Sequence, residues 1–157
     1  MRKYVITAAV AVAAAGLTVG LTLATRTTVP KPDKAQAGRP PLVLDLGVRT
    51  DPEAVALRKA ADLFDAGKVR EAAPVFARYD SMEAAVGSAL TSWPSGFDRL
   101  AALAARDRGS SHVQLHYGLG LYWRGDAPAA KAAWRLARRA QPDTSYALRA
   151  EDLLYPR

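Results

Sequence analysis

Gly67 and Gly125 limit what this chain can fold into more than any other pair of residues. Each closes a segment whose apolar residues recur at helical spacing, and a second such segment follows within a few residues. With the two glycines in register the flanking residues agree. Ala60 falls on Gly118, Leu63 on Leu121, Phe64 on Tyr122, Ala72 on Ala130 and Phe76 on Trp134. A small residue lets two paired helices cross closely, and the aromatic beside it fills the gap left by the crossing. The chain is therefore predicted to be all-α, built from antiparallel helical hairpins.

The first hairpin opens at TDPEAVALRKAADLFDAG, residues 50–67, with Asp51 as N-cap and Pro52 at the first helical position. Ala56, Leu57, Ala60, Leu63 and Phe64 mark its apolar face. A second helix is predicted over residues 69–79, facing inward through Val69, Ala72, Ala73, Phe76 and Tyr79. Pro74 lies inside it and should bend it by removing the backbone bond to Arg70. The later hairpin begins with Ser111 and Gln114, spaced as a capping box, and runs to Arg124; Pro128 starts its partner, with Ala130, Trp134 and Ala137 inward. Between them, SMEAAVGSALTSW and GFDRLAALAARD read as two shorter helices around Trp93-Pro94-Ser95-Gly96. DTSYALRAEDLL supplies a last helix after Pro142.

Three regions follow: residues 1–24, 25–49 and 50–157. Residues 5–24, VITAAVAVAAAGLTVGLTLA, hold no charge and no proline. At about 1.5 Å per residue such a run spans roughly the 30 Å of a bilayer core, and it exceeds the usual signal-peptide core. It is read as an uncleaved single-pass anchor at the cell membrane, with the alternative of a signal segment cleaved after Ala24 or Ala37 and a secreted product. Basic residues flank both ends; the short N-terminal tail favours placing the C-terminal domain outside the cytoplasm. The absence of cysteine excludes disulfides and lipoprotein processing.

Residues 25–41, TRTTVPKPDKAQAGRPP, form a proline-rich spacer. In LVLDLGV, residues 42–48, Leu42, Leu44, Leu46 and Val48 alternate with Val43, Asp45 and Gly47, which predicts an extended segment with one apolar face. Two readings stay open: an arm packed on the chain's own helices, or a strand that pairs with another chain. Exposed leucines would cost about 1.5–3 kcal/mol each relative to burial, so the arm is expected to pack in cis.

Charge argues against nucleic acid. Of the net +7, residues up to 41 carry +5, from Arg2, Lys3, Arg26, Lys31, Lys34 and Arg39 against Asp33, leaving +2 for the rest. A nucleic-acid domain would hold its basic patch on the folded part. Lys131, Arg135, Arg138 and Arg139 do form a basic stripe, read as a solvated face or as a contact for acidic partners or lipid headgroups.

Catalytic and metal motifs dissolve on inspection. His112 and His116 share a helical face, yet HVQLH lacks the glutamate of a zinc protease and no third ligand is evident. Gly118 and Gly120 lie within a helix, where a dinucleotide loop would need a preceding strand. Arg124-Gly125-Asp126 is a hairpin turn. Asp107, Ser110, Ser111 and His112 are sequence neighbours, which rarely converge on one substrate as a triad does, and the serines read better as helix caps. No cofactor, metal or catalytic residue is assigned, and the chain is read as a non-enzyme.

The later hairpin resembles the tetratricopeptide repeat. Gly118 matches that repeat's small residue seven before the turn glycine, Ala130 and Ala137 its paired alanines, and Pro142 its closing proline. Residues 53–80 match less fully: Tyr79 replaces the second alanine and the closing proline is missing. The turn glycines are 58 residues apart, not the repeat's period of about 34, so residues 82–108 must be a shortened hairpin between two fuller ones. The resemblance implies a short right-handed solenoid whose first helices line a concave groove. By position that groove comprises Leu57, Ala61, Phe64 and Asp65, then Leu115, His116, Leu119, Tyr122 and Trp123. Its apolar character suggests an apolar or amphipathic protein segment as ligand, and a membrane-tethered adaptor or scaffold as function. Alternatives are a structural subunit that self-associates through its repeats, and a secreted helical protein.

Overall fold

The computed structural model describes residues 36–156. Among them are seven helices: α1 (Pro52–Asp65), α2 (Val69–Phe76), α3 (Met82–Thr91), α4 (Phe97–Arg106), α5 (Ser111–Trp123), α6 (Ala127–Ala140) and α7 (Ser145–Leu154), with no strand among the described residues. The all-α expectation holds. Residues 5–24, read as the anchor, lie outside the described residues, and no helix among these is long and apolar enough to cross a membrane.

Most helices start where a side chain can replace missing backbone acceptors. Asp51, Ser81, Ser110, Asp126 and Thr144 each accept the N–H of the residue three further on. Pro52 and Pro128 sit in the first turn of α1 and α6, where no N–H bond is lost.

The turns at Gly67 and Gly125 match bond for bond. Gly67 N–H donates to Phe64 O and Lys68 N–H to Leu63 O; Gly125 N–H donates to Tyr122 O and Asp126 N–H to Leu121 O, all at 2.8–3.0 Å. Both are Schellman turns, and both glycines take the left-handed conformation that a side chain disfavours, with φ of 75° and 86°.

Each helix packs on the next, and α1 on α3, α3 on α5 and α5 on α7. One apolar cluster joins α1–α4 with the start of α5 and includes Leu57, Phe64, Phe76, Leu90, Leu100 and Val113; a second joins α5–α7 with Phe97 of α4 and includes Leu115, Leu119, Trp134 and Tyr146. Helix α5 touches α3, α4, α6 and α7. Every residue from Ser111 to Leu121 except Tyr117 is accordingly buried. Gly118 packs against the partner helix of its own hairpin, as expected, whereas Phe76 of α2 meets Gly87 of α3, outside the paired positions. A methyl group on Gly118 would stand 2.3 Å from Trp134 Nε1, and one on Gly87 would stand 2.4 Å from the Phe76 ring.

Three local expectations are corrected. The N-cap of α5 is Ser110, not Ser111. Ser111 is fully buried and donates through Oγ to Ala137 O at 2.6 Å, while Gln114 donates to Ala104 O at 2.8 Å, so both supposed capping residues tie α5 to its neighbours. Helix α2 stops at Phe76, two residues after Pro74, and Tyr79 packs on the core from the following loop. Val48 is 98% exposed, because Gly47 turns the chain with φ of 52° and ends the alternation.

Candidate functional site

The arm lies in cis against the helices. Its pattern brings Leu42 and Leu46 to one side, where both are buried in the cluster with Leu57 and Phe64. Leu44 packs partly on the same cluster, and Val43 on the second one beside α5 and α7. Residues 36–41, read as part of the spacer, extend the arm along the helices from the end of α5, where Gln36 N–H donates to Trp123 O at 2.8 Å. The Arg39 guanidinium lies 5.6 Å from the Phe64 ring centroid, near the end of α1. Asp45 reaches the start of α7. The arm thus runs antiparallel to α1 and α5.

An extended chain without a strand partner must find partners for its backbone elsewhere. Here side chains supply them. His116 Nε2 accepts Val43 N–H at 2.9 Å. The Tyr146 hydroxyl accepts Asp45 N–H at 2.8 Å and donates to Asp45 O at 3.0 Å. Ser145 Oγ donates to the Asp45 carboxylate at 2.5 Å, and the other carboxylate oxygen accepts Gly47 N–H at 2.9 Å. These bonds hold the Asp45 carboxyl below its ordinary pKa, the Ser145 hydroxyl contributing most. Arg58 of α1 closes the far end by donating to the carbonyls of Gly47 and Arg49.

His116 is fully buried. Its Nδ1 lies 2.8 Å from His112 O, so Nδ1 carries the proton and Nε2 is left as acceptor for the arm. Burial pushes its pKa down to about 4. His112 is lowered well below the ordinary range, first by burial and then by His116. The His112 ring lies 4.5 Å from the Tyr146 ring, whose phenol burial raises to about 12, so all three rings are neutral at neutral pH.

The positions carried over from the repeat are not an open surface. Leu57, Phe64, Leu115, His116 and Leu119 are buried; Ala61, Tyr122 and Trp123 are half-buried, and Asp65 is exposed. Neighbouring Asp62 and partial burial raise the Asp65 carboxyl, burial contributing more. The arm covers part of this face and neighbouring helices cover more of it. A cavity of about 370 Å³ remains where the arm begins, lined by Gln36, Arg39, Trp93, Trp123 and Arg124.

The basic stripe divides. Lys131, Arg135 and Arg139 face solvent, whereas Arg138 is half-buried, 3.6 Å from Glu151 and 5.9 Å from the Tyr155 ring centroid. In the Arg124-Gly125-Asp126 turn, Arg124 lies 4.2 Å from the Phe97 ring centroid and Asp126 caps α6.

Sequence reasoning missed Ser145, Tyr146 and Arg58 as the residues that grip the arm. Nothing local marks them, since each meets the arm only through the fold. The central place of α5 did leave a signal: Ser111–Trp123 contains no charged residue.

Compared with known proteins, the chain matches no family model, no curated protein and no solved structure.

Proposed function

We propose that the chain is a membrane-tethered adaptor whose helices form a short tetratricopeptide-like stack and hold a protein segment against α1, α5 and α7. One observation carries this reading. That face already seats an extended polypeptide, satisfying its backbone through His116 and Tyr146 and its apolar side chains beside Leu57 and Phe64. Support for the repeat comes from the two equivalent Schellman turns and from Gly118, which packs without room for a side chain against Trp134 of the paired helix. Residues 5–24 supply the tether, with the helical domain outside the cytoplasm.

A photo-crosslinking residue replacing Trp123 in the full chain, in native membranes, tests the function. A discrete protein partner is expected, with yield falling when Tyr122→Ala and Leu119→Ala are added and circular dichroism is unchanged. Crosslinking that is indifferent to the pair would contradict the groove. The mass of the native N-terminus tests the tether: an intact Met1 or Arg2 supports it, and a mature chain beginning after Ala24 or Ala37 removes it.

A further inference from the structure

The arm is the one ligand of this face whose chemistry is known, and its attachment is unlike that of a structural element. None of the backbone bonds that tie it to the rest of the domain belongs to a helix or sheet; they go to the side chains of His116, Tyr146 and Arg58 and to one carbonyl at the end of α5. Lifting it away leaves the hydrogen-bond ladder of every helix intact. The hinge that would move, residues 47–50, is exposed throughout and begins at a glycine already in the left-handed conformation. What lifting would uncover is a buried acceptor on His116, a hydroxyl on Tyr146 and an apolar trough beside Leu57 and Phe64.

Resting on the proposed function, we propose that residues 36–48 are a built-in competitor, and that the groove's partner is a second extended segment of the same chemistry. That chemistry can be read from the arm. Two leucine-sized side chains stand four residues apart, at the positions of Leu42 and Leu46, and fill the trough. A carboxylate one residue before the second, as Asp45 stands, meets the Ser145 hydroxyl at the start of α7, where the helix dipole also favours negative charge. The backbone of the two residues at positions 43 and 45 is read without regard to sequence. A tethered occupant competes at an effective concentration near the millimolar range, so an outside segment binds only when it is abundant, fits better, or meets a released arm.

The probe is a labelled synthetic peptide of residues 36–48, titrated by fluorescence polarisation into the full chain and into the full chain carrying Leu42→Asp and Leu46→Asp. Competition predicts binding about tenfold or more tighter to the substituted chain. A peptide with Asp45→Ala should bind about fivefold more weakly than the parent peptide. Equal binding to both chains, with the substituted chain folded by circular dichroism, would overturn the competitor. Equal binding of the two peptides would overturn the acidic requirement. Should the substituted chain fail to fold, the unsubstituted full chain is followed by amide exchange with millimolar peptide. Faster exchange at Val43 and Asp45 supports displacement, and unchanged exchange overturns it. A full chain that is dimeric by light scattering and becomes monomeric with peptide would show the arm exchanged between copies, which overturns competition in cis. Failure of the peptide leaves the crosslinking result for the adaptor standing on its own, so the two proposals fail separately.

Discussion

In the hairpin of α1 and α2 the chain reverses at Gly67, and in that of α5 and α6 it reverses at Gly125, with the same backbone bonds and the same left-handed glycine. Around those turns little else is alike. Helix α1 leaves Val55, Lys59 and Asp62 in solvent, whereas α5 is enclosed by four other helices. Helix α2 has eight residues and contains Pro74; α6 has fourteen and a basic outer face. Trp134 rests on Gly118 of its own hairpin, but Phe76 rests on Gly87 of the next one. A turn is specified by a few residues and survives any surroundings. How deeply a helix is buried is decided by what stands on either side of it.

Removing the aromatic wedge from either hairpin should destabilise the domain most. Trp134→Ala and Phe76→Ala should each cost about 3–5 kcal/mol in urea unfolding, since both side chains are buried against a glycine. If Phe76→Ala were nearly neutral while Trp134→Ala was not, the wedges would not be equivalent.

Acid distinguishes the two hairpins next. The unfolded chain binds a proton on His116 near its ordinary pKa of 6.5, and the folded chain does so only near 4. Stability is therefore full above about pH 6.5 and falls as the pH drops toward 4, by on the order of 3 kcal/mol. His112, lowered in the same direction, adds to that loss. The first hairpin contains no histidine. Protonated His116 would also present a donor to the Val43 N–H, so the arm should loosen over the same range. A denaturation midpoint that stays flat from pH 7 to 4 would contradict this account.

The smallest effect sharpens the likeness. Gly67→Ala meets no neighbouring atom and should cost only the left-handed backbone penalty of about 1–2 kcal/mol, whereas Gly125→Ala carries the same penalty at a buried position and should cost at least as much. A smaller loss at Gly125 than at Gly67, measured by thermal unfolding, would mean that the two turns are not equivalent.

Helices, turns and small crossing residues were legible because their signals are local: Asp51 with Pro52, Gly67, and Ala60 with Phe64 all act within a few residues of themselves. The in-cis packing of the arm was legible too, because three alternating leucines demand burial. Its contacts were not. Val43 meets His116 at a sequence separation of 73, and Asp45 meets Tyr146 at 101. No spacing rule spans such distances. How far the concave positions are covered was not legible for a related reason. Periodicity names the face that Leu115 and His116 share, but not that α4, α7 and the arm already cover it.

In the native chain the arm is seated against α1, α5 and α7. Amide exchange at Val43 and Asp45, compared with Val48 in the same molecule, measures that directly. Val48 is 98% exposed, while the other two amides are held by His116 and Tyr146. Seating predicts strong protection of Val43 and Asp45 at neutral pH and none at Val48. Exchange of all three at the rate of a free peptide would contradict it.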